Sequence, residues 1–118
     1  MNAQDFIQKT KASTINNDSC MELYSKYLGK WPDFVLRWIS NCHDTLFLDN
    51  GKRVLSFDEI LNADTELHVD FSVKGLLPLV DCGDNDFIVY CFKEKNWAFF
   101  NIVDEILFHK VDSIESLI

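Results

Sequence analysis

Residues 76–103 read LLPLVDCGDNDFIVYCFKEKNWAFFNIV, three apolar runs (76–80, 87–92 and 97–103) parted by two polar breaks. Each run is short and rich in aromatic and β-branched residues, which predicts strands rather than helices. These runs are expected to form the centre of a β-sheet. Pro78 cannot donate to a hydrogen-bond ladder, so the first run is expected at an edge or at a bulge. The run 87–92 is apolar on both faces, as in a strand covered from both sides or packed under a helix. KEKN then turns it into 97–103 as an antiparallel hairpin in which Asn101 is the one polar interruption. DCGDND is expected to be a plain turn. Its Asp81, Asp84 and Asp86 invite comparison with a calcium loop, but their spacing is not that of an EF-hand and no closing glutamate follows.

Upstream, Phe6 and Ile7 mark a short amphipathic helix over residues 3–13, and 14–20 (TINNDSC) read as a polar turn. Leu23, Tyr24, Tyr27 and Leu28 recur at helical spacing, with Gly29 as the stop. The clearest helix opens at Trp31-Pro32, with Pro32 at the first helical position and Asp33 complementing the dipole. There Trp31, Phe34, Val35, Trp38, Ile39 and Cys42 form one apolar stripe, expected to face the core, with Arg37 and Ser40 on the solvated side. Asn50-Gly51 lies between two apolar runs and predicts a hairpin with a type I′ turn. Ser56 or Asp58 then caps a helix beginning SFDEILNADTEL, with Phe57, Ile60 and Leu61 facing inward and Asp58 and Glu59 as helix-start chemistry. Residues 65–75 read as an irregular or edge segment, 104–111 as a strand or a helix, and SIESLI as a short helix with Ser113 a possible cap.

With 118 residues and 47% apolar content, the chain has material for one core, so one domain over 1–118 is expected, residues 1–20 being its N-terminal helix and loop. No apolar run approaches the ~18 residues of a membrane span and no signal-peptide core is visible, so a cytoplasmic protein with no membrane partner is expected. Cys20, Cys42, Cys82 and Cys91 form no CxxC pair and read as small buried hydrophobes. His43, His68 and His109 fall in three different elements with no zinc-type spacing, and neighbouring Cys42 and His43 point about 100° apart on a helix. No phosphate-binding glycine loop or nucleophile elbow is present. The expectation is therefore a protein with no catalytic residues, no cofactor and no metal.

Charge is distributed unevenly. Residues 1–56 carry 6 acidic and 7 basic side chains, a balance of +1, whereas 57–118 carry 13 and 4, a balance of −9. Such a surface repels phosphate backbones, which disfavours nucleic acid, and steers basic partners. Alternatively it serves solubility alone.

Three groups of residues then stand in a recognisable order. Leu28-Gly29 precedes Trp31-Pro32-Asp33-Phe34; a hairpin ends in Leu55-Ser56-Phe57-Asp58-Glu59-Ile60; and Leu77-Pro78-Leu79 runs through Cys82-Gly83-Asp84-Asn85-Asp86-Phe87. Over residues 21–118 this resembles the SUKH superfamily, which includes the yeast glucan-synthesis regulators and bacterial immunity proteins. The spacer between Gly29 and Pro32 is short for that pattern, Asn41-Cys42-His43-Asp44 stands where a glycine pair is common, and the C-terminal helix is curtailed. The resemblance implies an α+β domain with a largely antiparallel sheet and helices packed on it. It further implies a non-catalytic immunity protein that binds and neutralises a polymorphic or contact-dependent toxin. The expected partner is a toxin domain with a basic groove, met by acidic residues among Asp64, Glu66, Asp70, Asp81, Asp84 and Asp86. The alternative role is an intracellular regulatory or scaffold module. An enzyme would require a concave pocket with perturbed titratable groups, such as a Cys beside a His.

Overall fold

The computed structural model describes the whole chain, Met1–Ile118. It is an α+β domain whose six strands form one antiparallel sheet in chain order. The strands are β1 (Leu46–Phe47), β2 (Arg53–Val54), β3 (Leu76–Gly83), β4 (Asp86–Cys91), β5 (Asn96–Asn101) and β6 (Ile106–Val111). Helices α1 (Ala3–Lys11), α2 (Asn17–Lys26) and α3 (Asp33–Ser40) precede the sheet. Three short ones, α4 (Phe57–Leu61), α5 (Ala63–Glu66) and α6 (Phe71–Lys74), are inserted between β2 and β3.

The N-terminal helices begin where asparagine side chains relieve their unpaired amides. Asn2 accepts from Asp5 N at 2.7 Å to start α1, and Asn16 accepts from Ser19 N at 3.1 Å to start α2. That second cap corrects the expected turn over 14–20, whose last residues are helical and bury Cys20. At its other end α2 stops at Tyr27 rather than Gly29, because Tyr27 turns extended and its hydroxyl donates to the Ile60 carbonyl at 2.9 Å. A tertiary hydrogen bond thus ends the helix, and Tyr24 and Leu28, expected on the apolar side, are exposed.

In α3 the apolar stripe is as expected: Trp31, Val35, Trp38, Ile39 and Cys42 are buried, and Phe34 packs at 5.9 Å from the Trp38 ring. Each such side chain contributes roughly 1.5–3 kcal/mol by leaving water. Pro32 is the cap residue rather than the first helical one. Ser40 is buried, contrary to its expected exposure, since its hydroxyl accepts from Asn16 N at 2.8 Å and donates to Leu36 O at 2.6 Å. It joins α3 to the start of α2.

The Asn50-Gly51 hairpin forms, but with a different turn. Leu48 pairs with Lys52 across three residues, Gly51 N donates to Leu48 O at 2.9 Å, and only Gly51 has positive φ, +85°. This is a type I turn closed by a left-handed glycine. The type I′ turn lies instead at Asp84-Asn85, with φ of 52° and 66° between the paired Gly83 and Asp86. Asp and Asn reach that region because their short polar side chains stabilise it locally.

Ser56 caps α4 through a reciprocal capping box with Glu59. The expected single helix breaks at Asn62, and residues 65–75, expected to be irregular or an edge segment, are irregular apart from the end of α5 and the one-turn helix α6. Asp64 accepts from Phe71 N at 2.9 Å and Ser72 Oγ at 2.8 Å, which organises α6. Gly75 then takes φ +79°, a conformation strained for a residue with a Cβ, and a Cβ there would also have to displace the Lys93 side chain, 2.7 Å away.

Strand β3 is bulged between Pro78 and Val80, and β2 reaches only Val80 and Asp81, so no ladder bond is demanded of Pro78. Strand β5 ends at Asn101, so Ile102 and Val103 belong to the following turn. Residues 104–111 contribute strand β6, and Ser113 caps a 3-10 turn over Ile114–Ser116. Trp97 and Phe100, three residues apart, point to opposite faces. Phe34 of α3 meets Trp97 at 6.0 Å, whereas Phe71 of α6 meets Phe100 at 5.7 Å. Both faces of the sheet are therefore covered, and every residue of β4 from Phe87 to Cys91 is buried.

Candidate interaction surface

At one end of the sheet the β3–β4 and β5–β6 turns lie side by side. Ile102 N donates to Asn85 O at 2.9 Å, and Asn101 Nδ2 donates to Asp86 Oδ1 at 2.9 Å. Asn101 Oδ1 in turn accepts from Val103 N and Asp104 N, which shapes the second turn. The polar interruption at Asn101 thus ties two turns into one rim. Asp84 in the first turn and Asp104 and Glu105 in the second are all exposed. Lys74 of α6 pairs with Glu105 at 3.2 Å.

The six acidic residues singled out by sequence divide. Asp84 stands exposed at the rim, while Asp86 is half-buried in its bond to Asn101. Asp81 accepts from Gly83 N at 2.9 Å and pairs with Arg53 at 3.3 Å. Asp64 is turned inward as the organiser of α6, and Glu66 and Asp70 are exposed on the α5–α6 stretch. Asp104 and Glu105 escaped sequence reading because their nearness to Asp84 depends on strand pairing. Their only sequence signal was an Asp-Glu pair directly after a predicted strand.

Arg53 also pairs with Glu59 at 2.5 Å, so one guanidinium links β2, β3 and α4. Partial burial opposes ionisation of Glu59, but hydrogen bonds from Thr45, Arg53 and Ser56 outweigh it and hold its carboxyl at about 2. This network is scaffold. It fastens α4 to the sheet behind the rim.

Beside the rim the apolar side chains Val103, Ile106 and Phe108 are exposed at 68%, 56% and 39%. Phe108 stacks on Phe99 with ring centroids 5.4 Å apart. Exposed apolar residues bordered by carboxylates are the mixture found in protein interfaces.

Two concavities lie elsewhere. One of about 510 Å³ is lined by Phe34, Tyr90 and Trp97 with Lys95 and Asp112. The other, about 250 Å³, is bordered by Cys42 and His43. There Cys42 Sγ donates to Trp38 O at 2.9 Å, and burial pushes its thiol up to about 12. Burial likewise raises Cys82 and Cys91 to about 11. A thiol nucleophile needs the opposite shift. No group of three or more His, Cys, Asp or Glu side chains is arranged to hold a metal ion, and no helix is long and apolar enough to cross a membrane.

No family model, curated protein or solved structure matches this chain.

Proposed function

We propose that the chain is a non-catalytic, SUKH-type immunity protein that neutralises a toxin domain by covering its basic groove with an acidic surface. The observation that carries this reading is the rim, where Asp84, Asp104 and Glu105 lie beside exposed Val103 and Ile106. Carboxylates of this kind accelerate encounter with a basic partner, and the neighbouring apolar side chains supply contact once water is expelled. The balance of −9 over residues 57–118 extends the same field over much of the surface. The order of motifs, from Gly29 and Pro32 through Ser56 to the Asp84-Asn85 turn, supports the family assignment.

Co-expression with toxin domains encoded beside the chain tests the proposal. The expected result is protected cells and a complex that survives purification; neither protection nor complex with any of them sinks it. In such a complex the double variant Asp84→Lys, Asp104→Lys should slow association at least tenfold at low salt. The difference should shrink as salt shortens the Debye length towards about 3 Å at 1 M.

A further inference from the structure

The sheet ends in strands of very different kinds. β1 is two residues long, whereas β6 runs for six, Ile106–Val111, and no element pairs with its outer side. A long free edge is a template for another strand, so folded proteins usually blunt such edges with bulges, lysines or a covering loop. In β6 the blunting is confined to one half. His109 has φ +58°, the register with β5 shifts between Trp97 and Phe99, and Lys110 is committed to Glu94 at 3.1 Å. From Ile106 to Phe108 the strand is regular, with Ile106 and Phe108 exposed and Leu107 packed against the core between them.

We propose that the Ile106–Phe108 half of β6 accepts an extended, basic segment of the protein partner as a seventh strand. This rests on the immunity reading and adds how the partner is held: by main-chain hydrogen bonds along β6, with the rim fixing its sign of charge. Three features select such an occupant. The unpaired amides and carbonyls of an edge are satisfied only by another extended backbone. Asp104 and Glu105 lead directly into Ile106, so a lysine or arginine at that end of the added segment meets carboxylates. A second copy of this chain is a poorer fit, because its own β6 is bordered by carboxylates at both ends and carries one lysine, Lys110, already paired with Glu94.

The test uses the intact protein and three synthetic heptapeptides followed by amide hydrogen exchange. One alternates Lys with Val, the second alternates Glu with Val, and the third is the Lys-Val peptide N-methylated at its central residues, which keeps its charge and side chains but removes its donors. The Lys-Val peptide should slow exchange along β6, and the methylated and acidic peptides should bind at least tenfold more weakly. Failure of the Lys-Val peptide to protect β6 overturns strand addition. Equal binding of the methylated peptide does so too, since contact would then be electrostatic alone, yet it leaves the acidic-surface reading standing. Equal binding of the acidic peptide removes the charge selection. Loss of toxin protection in cells, by contrast, is decided in the co-expression assay and does not depend on these peptides.

Discussion

At one margin of the sheet, β1 and β2 are two residues each and are held by side chains from three directions. Arg53 joins Glu59 and Asp81, Thr45 donates to Glu59 at 2.6 Å, and Asn50 and Lys52 donate to the carbonyls of Ile118 and Leu117 at 2.9 and 2.6 Å. At the other margin β6 is three times as long, mostly exposed, and paired on one side only. The short edge exposes Phe47, but its turn and its neighbours Leu48, Val54 and Leu55 are tied down or buried; the long edge packs Leu107 and Val111 inward and leaves Ile106 and Phe108 exposed. An edge so extensively tied serves stability, and an edge left free is where a partner finds unmet hydrogen bonds and apolar surface together.

This contrast assumes one rigid core beneath both margins. Trp38, fully buried and in edge contact with Phe6 at 4.7 Å, is the place to break it. Trp38→Ala should cost about 3–5 kcal/mol and lower the thermal midpoint of the whole molecule in a single transition. If only part of the signal melted early, the two margins would not share a core.

At the tied margin, Glu59→Gln removes the charged partner of Arg53 and weakens the capping box. A loss of about 1–2 kcal/mol in denaturant unfolding is expected. The sign of its pH dependence follows from the depressed carboxyl. Held at about 2 when folded, against about 4.3 for a free glutamate, the ionised form favours the native state. Its contribution is complete above about pH 4.5 and is lost as pH falls through about 2. Melting curves across that range should show a steeper acid limb for the parent than for Glu59→Gln, and parallel limbs would remove Glu59 from the account.

The turn at this margin offers a smaller effect. Gly51→Ala places a Cβ on a residue at φ +85° with open space around it, so only backbone strain is felt. About 1 kcal/mol of destabilisation is expected from equilibrium unfolding. A neutral result would show that the turn adapts.

The free margin should behave in the opposite way. Ile106→Lys substitutes an exposed side chain and should leave stability within about 0.5 kcal/mol of the parent. Yet it should weaken the proposed toxin complex at least tenfold by setting a cation against a basic partner. Unchanged affinity would move the interface away from β6.

Much of the scaffold was legible in residue order. The α3 stripe, the Ser56 cap and the two-sided burial of β4 follow from periodicity and local hydrogen-bonding chemistry acting within a few residues, whereas β3 runs on to Gly83 and β4 starts at Asp86, so only Asp84 and Asn85 of the expected 81–86 turn lie outside the strands. Where reading failed, a distant partner had intervened. Tyr27 ends α2 for a bond to Ile60, Ser40 is buried by Asn16, and a helical turn forms at Phe71–Lys74, where Asp64 accepts from Phe71 N and Ser72 Oγ. The two turns exchanged expectation for a related reason. Pairing of Leu48 with Lys52 takes a third residue into the Asn50-Gly51 loop, and pairing of Gly83 with Asp86 leaves only Asp84 and Asn85 to reverse the chain.

The stretch 76–103 by itself determined that this protein is built round a sheet, because aromatic and β-branched runs punctuated by turn residues have few other ways to leave water. It also determined where the acidic residues are dense along the chain. Only the tertiary structure decided which of them are free to meet a partner. A carboxylate's role depends on the donors within reach: Asp64 and Asp81 are held by the protein's own amides and guanidinium, while Asp84 gains Asp104 and Glu105 as neighbours across two paired turns. Whether an edge is covered or open is likewise a property of the assembled sheet.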